Sequence, residues 1–309
     1  MDHMEPQIVQ LEYSDFDELT DAIKGWELEF QKLDAGAFRA TTRQWASHDF
    51  ILAHASANCS LRQCGEPPPG LRTFVVPGRA EVNMIWRSKR VTGNDLMVFP
   101  VGGELNALCP PGFDVFSLSI SEDALVGLID MRKFQNLETL SCNPATIAKF
   151  RRLLRQAILA EGDFHVVKAL IIRELAFCAN EALQVGTIKR EHQPFKVQSI
   201  AKAAELILSH PEEPATVQGI CDSIGVCRRT LEYAFIRHVG VRPKSFINAI
   251  RLNAVRKQLR APSAGLRVAD AANAFGFWHM GQFAADYRKL FGELPSQTLS
   301  SNWTSRSPP

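Results

Sequence analysis

Between Phe38 and Ile120 apolar positions alternate with polar ones or gather in short runs, as in FILAHAS, TFVVPG, VNMIWRS, DLMVFPVGG and FDVFSLSIS. That period marks strands. The breaks CGEPPPG, VPGR, TGND and CPPG are turn-forming and too short for crossover helices. They predict an antiparallel sandwich or small barrel rather than a parallel sheet.

After Ser121 the period changes. SEDALVGLIDMRK, PATIAKFRRLLRQAILA and FHVVKALIIRELAFCANEALQ repeat apolar residues at three and four places, which predicts three helices. Ser121 is the expected N-cap of the first, with two acids in the turn where the helix dipole favours them. The run VGTIKREHQPFK, residues 185–196, is polar and aperiodic and reads as a linker.

Beyond it the helical pattern returns in short pieces broken at Gly225, Gly240, Pro243, Pro262, Gly276, Gly292 and Pro295, which predicts helix-turn-helix units. Sliding this region by 52 residues puts Leu231 on Phe283, Phe235 on Tyr287, Gly240 on Gly292 and Pro243 on Pro295. Before each block lies a short apolar helix, Thr216 to Ile224 and Arg267 to Phe275. Gly225 and Gly276 end them and can take the left-handed turn conformation. The segment GFWHMGQFAADYRKLFG is therefore the second copy of a duplicated motif.

At about 100° per residue, Phe283, Tyr287, Leu290 and Phe291 form the core stripe of the second copy. Trp278, Gly281, Gln282, Ala285, Arg288 and Lys289 lie opposite. In the first copy Leu231, Ala234, Phe235 and His238 are the buried stripe, and Arg229, Glu232, Tyr233 and Arg237 point away. Arg228 and Arg229 stand at the N-terminal end, where a recognition helix meets base edges or phosphates. Arginine can grip a guanine edge and glutamate can accept from cytosine. Gly281 and Ala285 let a backbone come close to DNA, with phosphate contacts from Arg288 or Lys289. Between the copies PKSFINAIRLNAVRKQLR is one helix of roughly 16 residues, about 24 Å. It is a rigid spacer for two helices entering successive major grooves. His238 and His279 are read as packing or capping residues.

A chain of 309 residues exceeds one comfortable core. Its net charge of +2 hides a segregation: split after Val185, the first part has 18 basic and 24 acidic residues (−6), the second 17 and 9 (+8). A basic module beside an acidic one is a footprint of nucleic-acid binding. The seven cysteines are scattered, without CxxC or zinc spacing, and read as reduced thiols. No run reaches the roughly 20 apolar residues of a membrane span, and MDHMEPQIVQ lacks a signal-peptide pattern. A cytoplasmic protein without membrane partners, cofactor, metal or catalytic residues is expected.

The residues of the C-terminal region, from about Val197 to Leu299, resemble the AraC/XylS family of bacterial transcription regulators. VCRRTLEYAF, the linker-helix segment IRLNAVRKQL and the block GF…F…YRKLFGELPS carry the likeness. GFWHMGQFAADYRKLF and RRTLEYAF resemble in particular its ethanolamine-utilisation branch. The resemblance implies a double helix-turn-helix fold and places Arg229, Glu232 and Tyr233 at base-reading positions of the first recognition helix. Met280, Gly281, Ala284 and Ala285 take those of the second. Cys227 departs from the family's usual Ser or Thr N-cap, and a thiol caps poorly. The absence of a long polar side chain at Ala285 weakens base reading by the second helix.

The resemblance also implies an N-terminal cupin-like barrel that holds a small effector in its mouth. Phe74, Trp86 and Phe99 are its candidate lining residues. An amine effector follows from the likeness alone.

The expected fold class is α+β. The expected plan is a sensing domain at 1–121, a helical coupling or dimerisation region at 122–184, a linker at 185–196, the DNA-binding domain at 197–299 and a polar tail at 300–309. The expected function is an effector-responsive activator of a catabolic operon, with double-stranded DNA, RNA polymerase, the effector and a second protomer as partners. Three alternatives read less of the sequence. A cupin-type enzyme fused to a DNA-binding module needs metal ligands, but His48 and His54 stand without partners. A repair protein needs an activated cysteine. An architectural DNA binder leaves some 185 residues with their own core unused.

Overall fold

The strands are longer, earlier and more numerous than the apolar runs alone predict. A computed structural model describes residues 7–20, 23–87, 89–99, 102–134, 137–160, 163–184, 195–212, 215–261 and 265–304. Its strands are β1 Gln7–Tyr13, β2 Glu27–Lys32, β3 Ala40–Ala46, β4 Phe50–Ala57, β5 Leu61–Glu66 and β6 Arg72–Pro77. They continue as β7 Asn83–Trp86, β8 Lys89–Thr92, β9 Asp95–Phe99, β10 Leu105–Cys109, β11 Phe113–Ile120 and β12 Thr139–Ser141. The helices are α1 Pro144–Ala157, α2 Phe164–Gln184, α3 Phe195–Ser209, α4 Val217–Ile224, α5 Arg228–His238, α6 Pro243–Arg260, α7 Val268–Ala274, α8 Met280–Phe291 and α9 Pro295–Thr304.

Every strand pairing is antiparallel. One sheet runs β1-β3-β4-β11-β6-β9-β12 and the other β2-β5-β10-β7-β8. An α+β protein with an antiparallel N-terminal part and a helical C-terminal part is thus observed.

Alternation along the strands sorts the apolar residues into three cores. Val75, Met97 and Phe99 face the five-stranded sheet, in the core that holds Trp26 and Trp86. Phe74, Val98 and Leu118, one residue out of phase, face α1 and α2. The seven-stranded sheet is covered on both faces, so its central strand β11 is buried at all eight positions and reads as a continuous apolar run. The five-stranded sheet is likewise shared. Ala107 and Trp86 pair on its inner face, whereas the next pair, Leu108 and Ile85, belongs with Leu33 to the core of the C-terminal helices.

Several expectations need correction. β1 and β2 precede Phe38: QIVQLEY and ELEFQK lie before the apolar runs, although ELEFQK alternates exposed and buried positions as a half-covered strand does. The segment after Ser121 forms two 3-10 turns, Glu122–Leu125 and Met131–Phe134, instead of a helix. Gly127 between them has φ +78°, and the Ser121 side chain makes no cap bond. Among its described residues the tract 122–184 therefore holds two α-helices rather than three, and its β12 pairs with β9. Of the expected linker, 185–194 lies outside the described residues and Phe195 begins α3. The tail expected from 300 is helical to Thr304. The spacer helix α6 has 18 residues, about 27 Å.

Candidate nucleic-acid interface and the cavity behind it

The duplicated motif folds twice with the same local physics. Gly225 and Gly276 both take φ +71°, and Gly240 and Gly292 take +84° and +83°. Pro243 and Pro295 each open a following helix, where a missing N–H costs nothing. Gly225 and Gly276 stand 51 apart but Leu231 and Phe283 stand 52 apart, so the second turn is one residue longer. In α5 Leu231, Ala234, Phe235 and His238 are buried; in α8 Phe283, Tyr287 and Leu290 are. Phe291, expected in that stripe, is half-buried and stacks on Phe16 of the β region, ring centroids 5.7 Å apart.

The exposed faces differ. On α5 Arg228 Nε donates to Glu232 Oε1 at 2.8 Å and Arg237 donates to the Tyr233 hydroxyl at 3.2 Å. The exposed Arg229 guanidinium has no ion pair among the described residues. On α8 Gly281, Gln282, Ala285, Arg288 and Lys289 are exposed, while Met280 and Ala284 are half-buried. Met280 packs on the helical core. Gln282 donates to Asp286 at 2.9 Å. Trp278, in the turn before α8, is 72% exposed. Lys289 shares a groove with Asp34 and Arg242.

The helix starts are weakly capped. Thr216 Oγ1 accepts from Gly219 N at 3.0 Å before α4, but neither Cys227 before α5 nor His279 before α8 makes a side-chain cap bond. Cys227 Sγ lies 3.1 Å from Thr230 Oγ1, and that hydroxyl lowers the thiol's pKa. All seven cysteines are free. Burial raises the thiols of Cys59, Cys142 and Cys178 to about 12. Buried His238 is held below the usual 6.5 by desolvation first and then by Arg90 and Arg237.

Both α5 and α8 rest their C-terminal ends on the β region and turn their N-terminal ends outward. A Cβ on Gly240 would lie 2.4 Å from Pro111 Cδ. Lys32, 2% exposed, donates to the last-turn carbonyl of Leu290 at 2.7 Å, where a cation suits the helix dipole.

One face of α6 completes the contact. Arg256, 5% exposed at its side chain, sits 2.6 Å from Asp17, pairs with Glu293, and stacks over Phe16 and Phe291. Arg260 also reaches Asp17, and Lys257 reaches Glu29. Asn253 donates to Lys32 O at 2.8 Å. Part of the basic surplus that reads as a nucleic-acid footprint is thus spent on acids of the β region. Sequence spacing gave no sign of this, because Asp17 and Arg256 are 239 residues apart.

Behind the five-stranded sheet lies a cavity of about 50 Å³ walled by both sheets. Of the expected lining residues Trp86 and Phe99 face it, with ring centroids 4.7 Å apart. Phe74 does not: its phase on β6 sends it to Phe134 under the helices. Leu19, Ile23, Trp26 and Gln63 also line the cavity, outside the sequence reading: the first three lie in a stretch with no strand or helix period, and Gln63 is a polar residue on β5 whose inward phase is set only by pairing. Among the described residues no group of His, Cys, Asp and Glu gathers that can hold a metal ion, and no helix is long and apolar enough to cross a membrane.

Paired helices of this geometry define a helix-turn-helix module, and residues 220–301 match the family described as a helix-turn-helix domain. The chain is 30% identical over 170 residues to the XylDLEGF operon transcriptional activator 1 of Pseudomonas putida, covering 54% of this chain and 46% of that one. It is 33% identical over 110 residues to the probable thc operon regulatory protein of Rhodococcus erythropolis, covering 35% and 33%. The likeness thus spans less than half of either relative's length. A solved structure of a probable AraC family transcriptional regulator from Rhodopseudomonas palustris is 32% identical, with TM-score 0.32, covering 34% of this chain and 96% of that one.

Proposed function

We propose that this chain is a sequence-specific DNA-binding transcription regulator of the AraC/XylS type, an activator of a catabolic operon whose β region answers to a small molecule. The observation that carries the reading is the pair of helix-turn-helix units presenting the N-terminal ends of α5 and α8 to solvent. Relatives named as operon activators support it. Arg229, Glu232 and Tyr233 read bases from the first unit. Gly281, Ala284 and Ala285 bring the second backbone close to the groove, with Met280, Gln282 and Trp278 at its entrance. Arg228, Arg237, Arg288 and Lys289 hold phosphates.

Control passes through the shared sheet. On β10, Ala107 faces the cavity and Leu108 the helical core, so pressure on one side moves the other. The segment 14–26 adds a second route: Leu19, Ile23 and Trp26 wall the cavity, while Phe16 and Asp17 hold Arg256. An effector that binds two arrangements of this contact unequally shifts the population toward the tighter one. RNA polymerase is the expected partner of the bound regulator, a second protomer docks through 122–184, and the site of action is the cytoplasm. An ethanolamine-branch target and an amine effector rest on the recognition-helix likeness alone; the described lining residues of the cavity carry no charge to meet an ammonium.

Genome-wide occupancy in the native bacterium tests the reading. Occupancy at a few promoters, with affinity for the recovered site changed by one compound and the change abolished by Arg256→Met, is expected. Diffuse occupancy would favour an architectural binder.

A further inference from the structure

The inner face of the five-stranded sheet carries a row of side chains fixed by register. Phe30 pairs with Gln63, Gln63 with Ala107, and Ala107 with Trp86. Paired residues project to the same face, with strands about 4.8 Å apart. Gln63 and Trp86 therefore flank a hollow floored by the methyl of Ala107. Across it the seven-stranded sheet contributes Ala53, Ala55 and Ser117, again small.

Trp26 closes one side, its ring 5.6 Å from Phe99, which also contacts Trp86. Beside the hydroxyls of Ser56 and Ser117 stand three N–H-bearing side chains, Trp26, Gln63 and Trp86, which are 9%, 5% and 0% exposed. Each has an N–H without a partner among the described residues: Trp26 Nε1, Gln63 Nε2 and Trp86 Nε1. Buried donors normally find acceptors, and leaving one unmet costs about 1–3 kcal/mol. Trp45 Nε1 is also unmet but packs against Phe164, away from the cavity.

From this arrangement we infer the effector's class: an uncharged, ring-bearing molecule with a hydrogen-bond-acceptor oxygen, held by aromatic faces and bonded by the Trp26, Gln63 and Trp86 N–H groups. The inference rests on the regulator reading and deepens it. An ammonium finds neither a carboxylate nor a surplus of acceptors on the described walls. A carboxylate finds donors but no cation to offset its desolvation. A neutral ketone, ester, amide or aryl ether matches the apolar walls, and its oxygen reaches these buried donors as the wall moves. At about 50 Å³ the cavity is smaller than the roughly 150 Å³ that accommodates benzene, so binding displaces a wall. Leu19, Ile23 and Trp26 lie between β1 and β2, outside either sheet's ladders, and we take these three side chains as the wall that moves.

The test uses the full chain and four probes of one size: acetophenone, ethylbenzene, phenethylammonium and benzoate. Binding is followed by tryptophan emission and thermal melting. Acetophenone is expected to bind tightest. Gln63→Leu and Trp86→Phe each weaken acetophenone about fivefold, the size of one ordinary hydrogen bond, and leave ethylbenzene unchanged. Trp26→Phe repeats the test should Trp86→Phe perturb folding. Equal or tighter binding of phenethylammonium or benzoate, equal effects of the variants on acetophenone and ethylbenzene, or no binding of any probe each overturns the inference. Affinity for the promoter site, measured on the same samples, separates the two readings: specific DNA binding without probe binding removes only the effector class, whereas loss of sequence-specific DNA binding removes the regulator reading.

Discussion

The two helix-turn-helix units share a backbone and differ in chemistry. At positions 52 apart, Arg229 faces Gly281, Glu232 faces Ala284, Tyr233 faces Ala285 and His238 faces Leu290. The buried pairs Leu231/Phe283 and Phe235/Tyr287 stay apolar or aromatic between the copies, because the same core must be filled twice, whereas buried Ala234 and His238 correspond to half-buried Asp286 and buried Leu290. Arg229, Glu232 and Tyr233 give way to the small Gly281, Ala284 and Ala285, whereas exposed Arg237 corresponds to exposed Lys289 and keeps a long cation. In the function proposed above this difference divides the labour: the α5 side chains read base edges, and the small residues Gly281, Ala284 and Ala285 let α8 approach closely and position. Their footing differs too. Gly240 presses on Pro111 and Ser60, whereas Gly292 has open space where a Cβ would go.

If the shared core is equal in the two copies, Phe235→Ala and Tyr287→Ala should each cost about 3–5 kcal/mol in denaturant unfolding; a large disparity between them would break the equivalence. Gly240→Ala should cost more than Gly292→Ala. Both suffer the roughly 1–2 kcal/mol penalty of a left-handed non-glycine residue, but only the first also collides with Pro111, a difference that thermal melting reads directly. Arg229→Ala should cost about 1–3 kcal/mol of DNA affinity and relax preference at one base pair, while Lys289→Ala should weaken all sequences alike and reduce the salt slope by about one. Equal effects of both on every sequence would undo the division of roles.

The smallest effect concerns pH. His238 has a folded pKa below its ordinary 6.5, chiefly through burial. The unfolded chain therefore takes up a proton that the folded chain refuses as pH falls below about 6.5, and stability declines from there downward. His238→Leu, which copies Leu290, should flatten this acid-side slope in melts recorded across pH 5–7.

How much of this was readable beforehand follows from where the signals lie. Leu231, Phe235, Phe283 and Tyr287 were assigned correctly because helical period is local, and the turns because glycine at positive φ leaves a mark in any sequence. Phe74 and Phe99 look alike in sequence yet face opposite cores; a strand covered on both faces has no polar side to fix its phase. Trp26 and Asp17 sit in a segment held by distant partners, so nothing nearby announces them. The segment after Ser121 carries helical spacing, but Gly127 at φ +78° and the burial of Leu125 and Phe134 favour separate turns.

The most direct test of unequal reading by two units is a hydroxyl-radical footprint of the full chain on a promoter recovered by occupancy mapping, with and without Arg229→Ala. The account predicts two protected windows about one helical turn apart on one face of the DNA, with the substitution relaxing sequence dependence in one window and leaving the other protected. A single window, or two windows that respond identically to the substitution, would contradict it.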